Sequence, residues 1–199
     1  MTPISSLRNL YSTASTALEQ AASDPGNSER LCGLDWTVSP RGLYRAPALV
    51  PLSRDHHEAL IQALWLQRGA GRTPAALRFL DFHRAELEGH MADEEDVVLP
   101  AAEPVDPAGA ARIRQEHAEI RRFAAALEAA VGAGEDVTST MVDLARLLHD
   151  HVRYEERVFF MALQAALPGD ALESMGAALE AHRAARGVAA FCRVRSRQA

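Results

Sequence analysis

A chain that carries the pair His-x-x-x-Glu twice, at His90 and Glu94 and again at His151 and Glu155, has few ways to fold around it. The flanks repeat as well: HMADEEDVVLPAA (90–102) and HVRYEERVFFMAL (151–163) share the histidine, the Glu-Glu doublet, a valine and an alanine at equivalent places, 61 residues apart. Residues four apart on an α-helix lie on one face, about 6 Å along its axis. Each segment therefore offers an imidazole and a carboxylate to a common centre. Two such helices face to face can bridge a pair of metal ions through their carboxylates, with one imidazole for each ion.

Between glycine and proline punctuation the apolar residues recur at three and four rather than at two, which predicts an all-α chain. A first core helix starts near Ser53, a candidate cap, and runs through HHEALIQALWLQ to Gly69. A second runs from about Ala75 to Leu99, where Pro100 opens a loop; a third spans Ala108 to Val131; a fourth, capped by Thr138 or Ser139, continues to Leu167. Short connections suit antiparallel neighbours, so residues 50–168 are expected to form an up-down-up-down four-helix bundle. Residues 169–199 add a fifth helix, from Ala171 to about Arg193, packed on the bundle and ending in a basic tail of Arg193, Arg195 and Arg197. Residues 1–49 read as an N-terminal extension, helical over 5–22 and irregular over 24–52, where four prolines fall.

At 199 residues, with 48% apolar and 24% charged residues, the chain suits one main domain. A formal charge of −6 without a basic stripe excludes a nucleic-acid surface. The sequence lacks an apolar leader core and any run long enough to cross a bilayer, so no membrane partner and a cytoplasmic location are expected. Cys32 and Cys192 form no C-x-x-C unit and give no disulfide framework.

Seven of the eight histidines fall between positions 56 and 151. His90, His117 and His151 share their helix faces with apolar residues, as do Glu94 and Glu155. A buried ionised carboxylate needs a cation, and neither helix places Lys or Arg one turn away on that face. Metal is the simplest partner. The adjacent Glu95 and Glu156 lie about 100° further round and read as solvated, or as bonded to ligands rather than to metal. His83 is a candidate for the same outer role, His149 should be exposed, and His182 has no ligand-like spacing. In the first helix the repeat offset pairs His56 with His117, whereas Leu60, Ile61 and Leu64 follow His57 on an apolar face. Packing favours His57, with His56 as the alternative. The expected ligands are thus His57, His90, Glu94, His117, His151 and Glu155. This mixture of imidazole and carboxylate suits iron, with manganese or zinc possible.

The segments PLSRDHHEAL (51–60), HMADEEDVVLP (90–100), RQEHAEIRR (114–122) and HVRYEERVFF (151–160), in this order on four helices, resemble the hemerythrin-like, HHE cation-binding family over roughly residues 50–167. The resemblance implies a four-helix bundle around a non-haem, oxo- or hydroxo-bridged di-iron centre, with Glu94 and Glu155 as bridges and the histidines as terminal ligands. The family's oxygen carriers keep a second histidine four residues after the one matching His117; here Arg121 stands there. That departure turns the expectation from oxygen carriage towards binding or reaction with O2, NO or H2O2, in sensing, scavenging or oxidative-stress handling. A nearby cation would favour anionic species, and Tyr154, one turn from His151, is a candidate redox neighbour, substitute ligand or packing residue. Iron storage, delivery or iron-centre repair by the same site is the alternative, and a metal-free helical interaction module is the third reading. Whether the chain is an enzyme, and its oligomeric state, are left open by the sequence.

Overall fold

Helical spacing of apolar residues is realised as five helices in the computed structural model, which describes residues 44–187. The expectations for residues 5–22, Cys32, Cys192 and the basic tail lie outside the described residues. No β-strand occurs among the described residues.

A 3-10 turn, Pro47–Leu49, leads into helix α1, Val50–Arg68. Both Pro47 and Pro51 sit in first turns, where a missing amide donor costs nothing. The helical chain thus begins before Ser53, whose hydroxyl bonds the carboxylate of Glu156 at 2.7 Å instead of capping. Helix α2 is a continuous run over 73–102: Thr73–Phe82, a π turn at His83–Leu87, Glu88–Asp93, a second π turn at Glu94–Val98, and Leu99–Ala102. Pro100 therefore falls inside the helix and not in a loop. The preceding π turn, closed by the Leu99 amide on the Glu94 carbonyl, has already shifted the hydrogen-bond ladder where the proline lacks a donor.

Helix α3, Pro107–Ala133, starts at Asp106, whose carboxylate accepts from the Gly109 amide at 2.9 Å, and stops at Gly134 in the left-handed conformation. Helix α4 covers 138–166: Thr138–Tyr154, a π turn at Glu155–Phe159, and Phe160–Ala166. Helix α5, Gly169–Ala185, is shorter than the sequence suggests, because Gly187 turns the chain at φ 73°.

Packing follows the helix faces. Helix α1 packs on α4 and α2, and α3 packs on α2 and α4, while α5 lies against the opening 3-10 turn and the second half of α2. Two apolar clusters result. One gathers Ala59 to Leu66 of α1, Phe79 to Met91 of α2, Ile120 to Leu127 of α3 and Met141 to Val152 of α4. The other gathers Leu49 and Leu52, Val98 to Ala102, Ala110 and Ile113, and Phe159 to Leu163, closed by Met175 and Leu179 of α5. Between these stretches α1 and α3 carry His56 and His117, and α2 and α4 carry Glu94 and Glu155, with His90 and His151 one turn earlier, so a polar layer is held between two apolar ones.

The π turns at 94–98 and 155–159 fall at the same point of the 61-residue repeat. Each opens a place for two consecutive inward residues, Val98 with Leu99 and Phe159 with Phe160, all but fully buried. Together they form one wall of the polar layer.

Phe79, 1% exposed in the first cluster, is remote in sequence from that layer. Phe79→Ala is expected to lower the unfolding free energy by about 3–5 kcal/mol in urea titrations while leaving metal content per folded chain unchanged.

Candidate metal centre

Four imidazoles and two carboxylates meet in the polar layer: His56 from α1, His90 and Glu94 from α2, His117 from α3, and His151 and Glu155 from α4. All are nearly inaccessible, between 0% and 5% exposed. They form two groups that share both glutamates, His56 with His90 and His117 with His151. His56 Nε2 lies 2.9 Å from Glu155 and 3.1 Å from His90 Nε2; His90 Nε2 lies 3.5 Å from Glu94. On the other side His117 Nε2 is 3.1 Å from Glu94 and His151 Nε2 is 3.3 Å from Glu155.

These separations match the edges of a coordination polyhedron. Ligands about 2.1 Å from one ion lie about 3.0 Å apart at a right angle and about 3.4 Å apart at a tetrahedral one. Of these contacts the His56 Nε2–His90 Nε2 pair has hydrogen-bond geometry, and those of the carboxylates do not. Both carboxylate oxygens of Glu94, both of Glu155 and Nε2 of His117 are buried and have no hydrogen-bond partner, because the close imidazoles approach at angles unsuited to one. An ionised carboxylate left so in an apolar interior is costly unless a cation is shared with it, and the residues present fit a pair of metal ions.

Each imidazole is fixed from behind. The Nδ1–H of His56 donates to Glu156 at 2.7 Å, that of His117 to Glu95 at 2.9 Å, that of His90 to Asp55 at 3.2 Å and that of His151 to Glu116 at 2.9 Å. Carboxylates on Nδ1 select the tautomer that presents Nε2 to the centre and raise its basicity. Every one of these pairs crosses between neighbouring helices, α4 to α1, α2 to α3, α1 to α2 and α3 to α4. Each carboxylate is in turn held by an arginine: Glu156 by Arg45, Glu95 by Arg121, Asp55 by Arg183 and Glu116 by Arg112.

Electrostatics follow the geometry. Burial would raise the Glu94 carboxyl, yet His90 and His117 hold it far below the usual range. Burial would likewise lower the His117 imidazole, but Glu94 and Glu95 carry it up to about 9, and Glu155 and Glu156 lift His56 well above its ordinary value. Hydrogen bonding from His117 brings Glu95 down to about 2, and His56 and Arg45 bring Glu156 to about 2 against its burial. The layer is a concentrated negative field that draws in positive charge.

Five of the six ligands expected from sequence are among the grouped residues; the choice in α1 is corrected. His56 faces the centre and stacks on Phe160 at 5.4 Å, whereas half-buried His57 is absent from both groups. Buried on α1 are Val50, Leu52, His56, Ala59, Gln62, Ala63 and Leu66, in which small alanines mark the inward face, while Leu60, Ile61 and Leu64 are only half-buried.

Arg121 does not aim its charge at the centre; it is spent on Glu95 at 2.7 Å and Glu88 at 3.1 Å. Tyr154 packs beneath the Arg112 guanidinium, 3.6 Å from its ring centre, and belongs to neither ligand group. His83 stands 3.2 Å from Glu88, which pairs with Arg121 and through it with Glu95. His149 is exposed beside Asp150. His182, without ligand spacing in the sequence, pairs with buried Asp93 at 2.9 Å. Asp55, Asp93, Glu116, Arg45, Arg112 and Arg183 were not singled out from sequence. The repeat contains a trace of two of them: an acid immediately precedes both His56 and His117, 61 residues apart.

The family model for the hemerythrin HHE cation binding domain matches residues 49–163, more than half of the chain. Comparison with curated proteins and with solved structures returns no match.

The geometry distinguishes adjacent histidines experimentally. His56→Ala is expected to remove metal from the purified protein, read by elemental analysis, whereas His57→Ala should retain the wild-type content; the reverse result would place His57 at the centre.

Proposed function

The chain belongs to the hemerythrin HHE cation-binding family, and on that premise we propose that it is a non-haem di-iron protein that binds or reacts with O2, NO or H2O2. The observation that carries this reading is the set of buried, unbonded oxygens on Glu94 and Glu155 between two pairs of imidazoles. We infer with it an up-down-up-down bundle. The four helices meet the two apolar clusters in alternating order, α1 and α3 running from the second to the first and α2 and α4 the reverse, which supports that arrangement.

Glu94 and Glu155 would bridge, His56 and His90 would serve one ion, and His117 and His151 the other. Iron so bound supplies a redox-active pair able to accept a small ligand and exchange electrons with it. The protein's own contribution is positional. Carboxylates behind each Nδ1 lock the imidazoles, and the walls of Val98, Leu99, Phe159 and Phe160 exclude bulk water. Each half has one histidine on its outer helix, since the positions one turn on from His56 and His117 hold Leu60 and Arg121. With two imidazoles and two shared carboxylates, each ion keeps room for an exogenous ligand.

Charge favours the same class of ligand. The four outer carboxylates are matched by four arginines, so two divalent ions face only Glu94 and Glu155. The excess positive charge suits anionic or reducible diatomic and peroxide species. Near-complete burial of all six ligands suits a resident ion better than storage or delivery, which require an exchangeable one.

Metal-free protein loaded with ferrous iron under anaerobic conditions is expected to take up two ions per chain. On separate exposure to O2, NO and H2O2, its near-ultraviolet and visible absorption should change with at least one of them. Glu94→Ala and Glu155→Ala should lose both iron and response. Wild-type iron content no higher than in these variants would overturn the assignment.

A further inference from the structure

The four arginines behind the histidines do not come from equivalent places. Arg112 and Arg121, which hold the carboxylates behind His151 and His117, both belong to α3, inside the family-matched stretch. Arg45 and Arg183, which hold those behind His56 and His90, lie before and after it. One metal position is therefore supported by the bundle alone, and the other by segments outside it.

The flanking pair is also the more buried. The Arg45 and Arg183 side chains are 7% and 16% exposed, against 34% for Arg121 and 47% for Arg112. Charge pairs shielded from solvent couple more strongly than exposed ones, which water and salt screen. Arg45 reaches Glu156 twice, at 2.7 Å to its carboxylate and 2.7 Å to its carbonyl, and lies over Phe160, the ring stacked on His56.

Arg183 joins two carboxylates, Asp55 behind His90 and Asp93 next to Glu94, the latter at 2.7 Å. Asp93, 1% exposed, also receives Arg186 at 2.6 Å and His182 at 2.9 Å, so three cationic or polar groups of α5 and its C-terminal cap converge on one buried acid of α2. The repeat has no counterpart to this clamp, because Tyr154 occupies the position equivalent to Asp93.

We propose that Arg45 and Arg183 are positioning residues for the His56/His90 metal position, so that docking of α5 and of the segment before α1 sets the affinity of one ion and not of the other. This rests on the two-metal reading above. Arg183 acts through Asp55 on the orientation of His90, and Arg45 acts through Glu156 on that of His56. The two positions, alike in ligands, differ in what holds those ligands still.

Two backgrounds separate the positions. His151→Ala disables the His117/His151 side and His90→Ala the other, and Co2+ titration of each metal-free protein, followed by visible absorption, reads the position that remains. Adding Arg183→Met to His151→Ala is expected to weaken Co2+ binding by about 10–100-fold. Adding it to His90→Ala should change binding by less than about twofold, the floor of a comparison of this kind. Arg183→Lys in the His151→Ala background should recover most of the loss, and Asp55→Asn should reproduce it where Arg183→Met does not fold. Equal weakening in both backgrounds would overturn the proposal in favour of a general packing role, and no weakening in either would overturn it outright. Failure of the wild type to bind two Co2+ ions would instead remove the two-metal reading on which it stands.

Discussion

Two carboxylates, Glu94 and Glu155, sit with all four oxygens buried and unbonded in the middle of an apolar helical interior. The rest of the molecule is arranged around that demand. A charged oxygen without a partner in such surroundings is worth several kcal/mol of destabilisation, more than most single packing contacts return. A fold that keeps two of them is suited to gaining a cation, and the four Nε2 atoms lie where they could hold it. Apolar clusters on either side supply stability that does not depend on the ion, while the layer between them specifies register. A slip of one helix by a residue would rotate its ligand by about 100° and strand a glutamate against hydrocarbon.

The imidazole–carboxylate pairs convert that local chemistry into tertiary order. Each links one helix to the next, and the four links close a ring around α1, α2, α3 and α4. They are directional where apolar packing is not, so they restrict rotation of each helix about its own axis. The π turns at Glu94 and Glu155 have a matching purpose. A regular helix could not place a ligand glutamate inward and then two consecutive large apolar residues inward one turn later, and the wider turn accommodates both.

Helix content and the grouped His and Glu residues of α2, α3 and α4 were legible because they rest on spacings of three, four and seven, which a helix converts directly into a face. His56 was not. Its neighbours on the buried face are Ala59 and Ala63, and a reading weighted by side-chain size prefers the bulkier Leu60, Ile61 and Leu64 beside His57. In a closely packed layer the inward positions must be small so that helices can approach, and size then points the wrong way. Asp55, Glu116, Arg45 and Arg183 escaped for a different reason: they act across helices, on partners such as Asp55 with His90 that are 35 residues apart. Only the 61-residue offset connects them in the sequence, by placing an acid before both His56 and His117. Pro100 misled because a proline marks the end of a regular helix, and the π turn that accommodates it has no simple pattern of its own.

Near-symmetry of the ligands makes the asymmetry of their supports informative. A 61-residue offset maps His56 onto His117, His90 onto His151, Glu94 onto Glu155, and each supporting acid onto an acid. It does not map the arginines, which need only reach a carboxylate and so can come from any nearby element. Mutation can alter such a contact without displacing a ligand, and it is there that segments outside the matched stretch have become attached to the centre. Asp93 marks the attachment: an acid buried beside Glu94 would repel it and raise the cost of the site, yet Arg183 of α5 and Arg186 at its end neutralise it. The presence of Asp93 thus makes the two halves of the centre dependent on different parts of the chain, although their ligands are the same.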